Sequence, residues 1–193
     1  MLEIPNHTHQ KAGEVSLEEI RDLLGDCKRC GLSEVRNNIV FGKGNPHARI
    51  LIIGEAPGKN EDLEGKPFVG KAGKDLDKYL LEAGIDPNDI YIANVVKCRP
   101  PENRNPKAEE ISTCTPFLRE QIRSIWPDFI VTLGNFSSKF VLKTDKGITA
   151  LRGQVFEIGH FKVLPIFHPA AAIYDRSKAD YIKQDFALLK SLL

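Results

Sequence analysis

Net charge is almost absent from this sequence: 27 Lys and Arg stand against 26 Asp and Glu, leaving +1 at pH 7. A global field that draws in a polyanion is thereby excluded, and any nucleic-acid partner must be met by a local cluster of cations. Long apolar runs are missing as well, so no membrane span is expected, and the opening MLEIPNHTHQKAGE lacks the basic-then-apolar layout of a secretion signal. The chain reads as cytoplasmic, with residues 1–13 as a flexible tail. Internal repeats and low-complexity linkers are also lacking. Cysteine is scarce, with four residues at 27, 30, 98 and 114. Without an export signal these read as metal ligands or reduced thiols rather than disulfides.

What is present suits a globular protein. The 193 residues, 41% hydrophobic and 27% charged, suffice for one core, and a single domain spanning 1–193 is expected. Ser16 and Glu19 form a capping box ahead of a helix whose apolar face is Leu17, Ile20, Leu23 and Leu24, stopped by Gly25. Ala48 to Gly54 is a short branched apolar run of the kind buried on both faces of a sheet. The loop GEAPGKNEDLEGKPFVG follows, then a helix through Leu76, Tyr79, Leu80 and Ala83 to Gly84. Tyr91 to Val96 reads as a second strand. Pro106 to Ile125 reads as a helix capped by Asn105. Phe129 to Leu133 is a third strand and Phe136 to Leu142 a short helix. Val155 to Ile158 and Lys162 to Phe167 form a hairpin arm running into a last strand, and a helix from about Arg176 closes the chain. Strands alternating with helices predict a three-layer α/β/α sandwich on a mostly parallel sheet, with ligands at the carboxyl ends of the strands.

The chemistry-bearing residues fall in the loops at those ends. Cys27-Lys-Arg-Cys30, Cys98 and Cys114 supply the four thiolates that either a tetrahedral zinc or an iron–sulfur cubane accepts; Cys114 also fits a plain core position on its helix. Gly54-Glu55-Ala56-Pro57-Gly58 lets a backbone approach a ligand closely. It lacks the endings of a phosphate-binding or dinucleotide-binding loop. Glu61, Asp62 and Glu64 read as a solvated stretch. Phe68 offers a face for stacking, or a core side chain. His168, opening HPAAA after the last strand, can donate into a cleft, or can be a satisfied structural histidine. Lys97, Arg99, Arg104 and Lys107 form a basic rim suited to phosphates, which Arg176 and Lys178 extend.

Taken in order, GEAPG, PFVGKAG, NVVKCRPPENRNP and HPAAA, with cysteines before and between, resemble the family-four uracil-DNA glycosylases from Cys27 to the last helix. The resemblance implies that the cysteines hold a structural 4Fe-4S cluster. It also implies that Gly54, Glu55 and Ala56 wall a uracil pocket in which Phe68 stacks on the base and Asn94 reads its edge. By the same resemblance His168 is the catalytic donor, and Asn103 acts with Glu55 near the sugar or the water. Arg99, Arg104, Lys107 and Arg176 would contact DNA. Family-one enzymes carry aspartate, and the mismatch-specific family asparagine, where this chain has Ala56. The Glu55 and Gly58 pattern separates it from family five, and no Lys-Arg-Arg-Ile-His insertion follows Arg99. The implied protein is a monomer, associated with the nucleoid, acting on uracil in single- or double-stranded DNA; a sliding clamp is a partner the resemblance leaves open. Two rival readings are a non-catalytic metal-stapled DNA-binding module and a small-molecule nucleotide hydrolase.

Overall fold

The computed structural model describes residues 15–193, so the expected tail at 1–13 lies outside the described residues. The strands are β1 (Lys43–Gly44), β2 (Ile50–Gly54), β3 (Ile90–Asn94), β4 (Phe129–Leu133), β5 (Phe156–Ile158) and β6 (Phe161–Ile166). The helices are α1 (Leu17–Leu24), α2 (Lys59–Glu64), α3 (Lys71–Glu82), α4 (Ala108–Ile125), α5 (Gly134–Leu142), α6 (Ile148–Leu151), α7 (Ala171–Tyr174) and α8 (Ser177–Leu192). Strand order is β1-β3-β2-β4-β6-β5. The four inner strands run parallel, and the short edge strands β1 and β5 run antiparallel. The mostly parallel α/β sheet expected from the alternating pattern is therefore present.

Every residue of β2, β3 and β4 is buried, because helices cover both faces of the sheet. On one face Leu76, Leu80, Ile182, Phe186 and Leu189 of α3 and α8 pack on Ile50, Ile52 and Val131. On the other, Leu118, Ile122 and Ile125 of α4 and Phe136 and Phe140 of α5 pack on Leu51, Ile53 and Ile130. Among the described residues no helix is long and apolar enough to cross a membrane.

The capping box of α1 forms as expected: Glu19 N–H donates to Ser16 Oγ at 3.2 Å and Ser16 N–H to Glu19 Oε2 at 2.7 Å. Leu23, assigned to its apolar face, is instead 65% exposed, since Ile20 and Leu24 alone complete the buried stripe. Helix α4 starts at Ala108 rather than Pro106, with Lys107 and not Asn105 at the cap position. The reason is Glu110, whose buried carboxylate takes the Lys107 N–H at 2.7 Å and holds the preceding chain extended. Strand β3 ends at Asn94, although Val95 and Val96 N–H still donate to the Gly54 and Glu55 carbonyls at 3.0 and 3.1 Å. The short helices α2, α6 and α7 carry no long apolar period and were not expected. Of the acidic stretch expected to be solvated, Glu64 is exposed, but Asp62 is buried and accepts the N–H groups of Asn37 and Asn38 at 2.9 and 3.3 Å.

A buried ion pair closes the β6 side. Arg152 donates from Nε to Asp185 Oδ2 at 2.9 Å and from its second nitrogen to Oδ1, while Asp185 is 2% exposed. Removing one partner of such a pair strands the other charge away from water. Arg152→Ala should therefore cost about 3 kcal/mol in urea unfolding, and Arg152→Met with Asp185→Leu much less. A single-variant loss below about 1 kcal/mol would show that water reaches Asp185.

Candidate active site

The site begins with strand register. Parallel pairing sets Gly54 of β2 directly opposite Asn94 of β3, at the carboxyl ends of both strands. A side chain at residue 54 would collide with Asn94 Oδ1, and it would come within 3.0 Å of the Phe68 ring. Glycine there lets the carboxamide and the ring share one spot. Asn94 is 2% exposed, and its Oδ1 is the one buried side-chain polar atom among the described residues without a hydrogen-bond partner. A buried acceptor left unpaired costs about 1–3 kcal/mol, so its vacancy points to a donor that arrives from outside.

Phe68 is held in a conformation its side chain disfavours, with φ of 52°. Three contacts enforce it. Glu61 Oε1 accepts the N–H groups of Val69 and Gly70 at 3.0 and 2.8 Å, at the start of α3, where the helix dipole favours an anion. Lys43 Nζ donates to the Phe68 carbonyl at 3.2 Å. Gly73 leaves room for that same carbonyl, which a Cβ would strike. Glu61 is a positioning residue that sequence reading missed. The available signal was Gly58, whose lack of a side chain makes space for the Glu61 carboxylate.

His168 leaves β6 through Phe167 and stacks on Phe68, with ring centroids 5.8 Å apart. Its Nδ1 accepts the Ala170 N–H at 3.1 Å. The proton of a neutral ring therefore sits on Nε2. Burial pushes the imidazole down to about 4, the Glu61 carboxylate opposing. At neutral pH this is an uncharged donor. Glu55, Phe68, Asn94, Asn103 and His168 line one cavity of ≈ 500 Å³, with Ala56 and Arg104 also on its wall and Gly54 behind Asn94. Burial raises the Glu55 carboxyl above the usual carboxylate range.

The basic rim is less free than its sequence suggests. Lys97 is wholly buried and cannot touch a phosphate. Arg104 is paired to Glu110 through two bonds of 2.9 and 2.6 Å, and Arg99 Nε donates to Asn103 Oδ1 at 2.7 Å. Lys107 is exposed at the start of α4 and Arg176 at the start of α8; neither lines the cavity, and nor does Arg99.

The four cysteines are free thiols. Among the described residues no group of three or more His, Cys, Asp and Glu side chains is arranged as the ligand set of a metal ion. The thiols nonetheless share one locality. Burial pushes Cys98 up to about 12, with Cys114 and Cys30 adding to the rise, and Cys114 is raised by burial first and also by Cys30 and Cys27. Two donors already point at sulfur: Lys97 N–H at 3.3 Å from Cys114 Sγ and Arg36 Nη1 at 3.6 Å from Cys98 Sγ. Such bonds stabilise thiolates, so the donor set fits an iron–sulfur or zinc centre.

The His168 ring should stay neutral and Nε2-protonated from about pH 8 to about pH 5, with a midpoint of about 4, which nitrogen NMR of the labelled ring measures directly. A midpoint near the ordinary value of about 6.5 would show a solvated ring. Because the folded chain holds the lower pKa, the unfolded chain takes the proton first as pH falls. The ring's contribution to stability is thus complete above about pH 6.5 and is lost between there and about 4.

A family model described as the uracil DNA glycosylase superfamily matches residues 41–190. The chain is 43% identical over 187 residues to a type-4 uracil-DNA glycosylase of Sulfurisphaera tokodaii, covering 92% of this chain and 84% of that one. Against the type-4 uracil-DNA glycosylase of Archaeoglobus fulgidus it is 40% identical over 185 residues, covering 92% and 93%. That of Thermotoga maritima is 45% identical over 166 residues, covering 85% and 86%. Matched along nearly its whole length by these relatives, the chain belongs to the uracil DNA glycosylase superfamily and, within it, to the type-4 uracil-DNA glycosylases.

Proposed function

We propose that Phe68, Asn94 and His168 carry out, in the cavity at the strand ends, the excision of uracil from DNA that defines this family. The product is an abasic site, the starting point of base excision repair. The observation that carries the residue assignment is the unpartnered Asn94 Oδ1, buried in the same cavity as a neutral donor imidazole and an aromatic face.

A base inside a duplex is out of reach, so the target nucleotide must be extruded, most easily from a uracil opposite guanine. Stacking on Phe68 returns about 1–3 kcal/mol of the unstacking cost. Asn94 Oδ1 then accepts the N3–H of uracil and the amide nitrogen donates to O4. Cytosine presents a lone pair at N3 and an amino group at C4, so it meets acceptor with acceptor and donor with donor. A site built around such hydrogen bonds rejects the wrong base more strongly than an apolar pocket rejects a methyl group.

The bond from C1′ of the sugar to N1 of uracil lengthens first, and its electron pair moves into the ring. The charge gathers on O2, where His168 Nε2–H donates without giving up its proton. A charged imidazole is disfavoured there by burial, so stabilisation comes from an oriented dipole, as in an oxyanion hole. Water adds to the cationic C1′ from the other side and releases a proton to solvent, while the uracil anion leaves and takes one up from solvent. Glu55 and Asn103 position that water, the carboxyl made more basic by burial and the Asn103 oxygen fixed by Arg99. Arg99, Arg104, Lys107 and Arg176 meet the phosphates. Cys27, Cys30, Cys98 and Cys114 would hold a 4Fe-4S cluster that supplies a cross-link rather than electrons. The protein acts as a monomer in the cytoplasm, at the nucleoid.

The direct test is incubation with a uracil-containing oligonucleotide followed by hot alkali; an uncut strand would remove the reading. His168→Ala should slow single-turnover base release by about 10²- to 10³-fold while leaving DNA binding nearly intact. The purified protein should be brown, with broad visible absorbance and about four irons per chain. A colourless protein holding zinc would overturn the cluster assignment.

A further inference from the structure

Lys97 is among the largest fully buried side chains of the described residues and has no place in the chemistry described above. Its ammonium donates to the Asn94 carbonyl at 2.9 Å and to Gln121 Oε1 at 2.5 Å. Gln121 is itself wholly buried and passes the link on, its Nε2 donating to the Phe41 carbonyl at 3.0 Å. The main chain of Lys97 is as fully engaged as its side chain. Its N–H points at Cys114 Sγ, 3.3 Å away, and its carbonyl accepts the Val40 N–H at 2.7 Å. One residue thus touches both the carbonyl of Asn94 and a sulfur of the cysteine group.

Lysine is a costly choice for a structural filler. Burying an ammonium without a paired carboxylate is unfavourable unless its hydrogens are used, and a leucine or methionine would fill the same space without that cost. No carboxylate pairs with Lys97 among the described residues; the hydrogen-bond partners of its ammonium are a carbonyl and an amide oxygen, and the acidic group that favours its charge is the Cys114 thiol. What lysine supplies and an apolar residue does not is a fixed donor at the end of β3. The β2–β3 ladder is completed there only through N–H groups, those of Val95 and Val96, and the Asn94 carbonyl faces Lys97. The peptide that follows Asn94 is therefore held from both sides, its Val95 N–H by the Gly54 carbonyl and its carbonyl oxygen by the ammonium. The Cα to Cβ direction of Asn94 follows from that peptide, and with it the aim of Oδ1.

We propose that Lys97 is a positioning residue for uracil recognition. Its ammonium fixes the peptide after Asn94, and through its own N–H to Cys114 it ties the reading amide to the cysteine frame. This rests on the assignment of Asn94 to the uracil edge.

The test is a double-mutant cycle of Lys97→Met and Asn94→Ala on the cluster-loaded protein. Iron content and the thermal midpoint are recorded for each variant, and excision of uracil is measured under single turnover. If Lys97 acts through Asn94, Lys97→Met slows excision by about 10- to 100-fold, in the range of lost outer-shell support, with iron retained. It also raises the inhibition constant of free uracil. Added to Asn94→Ala it then costs nothing further. Lys97→Gln, which keeps one N–H donor for the Asn94 carbonyl, recovers part of the rate, and it replaces Lys97→Met in the cycle if the methionine variant does not fold. Additive losses, an unchanged uracil inhibition constant, or failure of both variants to fold would each overturn the proposal, the last by making Lys97 a scaffold residue. A wild-type protein that cuts no uracil would instead sink the functional reading.

Discussion

The parallel pairing of β2 with β3 is the constraint on which the site depends. Its register places Gly54 against Asn94, and it runs on past the strand ends through the Val95 and Val96 N–H groups to the carbonyls of Gly54 and Glu55. Because side chains alternate along a strand, a slip of one residue would send the Asn94 carboxamide to the opposite face. It would also set a branched residue where only glycine fits under the Phe68 ring. The buried, isoleucine-rich strands make such a slip expensive, since every one of their side chains is packed under a helix. Hydrophobic patterning, with no chemical role of its own, thus sets the aim of the Asn94 amide.

Around this rigid pair the loops are strained and braced. Phe68, Glu102 and Asn103 all adopt positive φ, which side-chain-bearing residues avoid, and Phe68 and Asn103 line the cavity. The two that line the cavity have dedicated holders: Glu61 and Lys43 for the Phe68 turn, and Arg99 for Asn103. Helix α2 does double duty, since Glu61 grips the Phe68 loop while its neighbour Asp62 takes the N–H groups of Asn37 and Asn38. That second grip reaches the segment carrying Arg36, which in turn contacts the Cys27 carbonyl and Cys98 Sγ. Hydrogen bonds and the short chain segments between them therefore join the cysteine region to the Phe68 ring by one route and, through Lys97, to Asn94 by another.

The parts of this arrangement that were legible in the sequence are those with a period or a fixed spacing. Branched apolar runs gave β2 and β4 to the residue or nearly so, Ser16 and Glu19 gave the start of α1, and the alternation of elements gave the sheet. Phe68 and His168 stood out as a ring in a glycine-rich loop and a histidine after a strand, whereas Asn94 was singled out only through the family resemblance; the structure brings the three to one cavity. What was not legible depends on hydrogen bonds that follow no helix or strand period. Glu61, Asp62 and Glu110 look like ordinary surface acids, and the backbone N–H groups that they accept make them anchors, with Asp62 and Glu110 buried. Lys97 is engaged by Gln121, 24 residues on, and Arg104 by Glu110 across a turn. A charge used by a loop or by a distant residue carries no periodic mark of it.

That redistribution of charge changes how the protein must meet DNA. With Arg104 answered by Glu110 and Lys97 buried, two of the four cations of the expected rim are engaged within the protein. Counterion release, whose strength scales with the number of phosphates neutralised, is weakened by each cation so engaged. Under the proposed roles a larger share of the binding falls to the flipped base, held by the Phe68 face, the vacant Asn94 acceptor and the uncharged His168 donor. Discrimination and retention are then coupled, because the same contacts serve both.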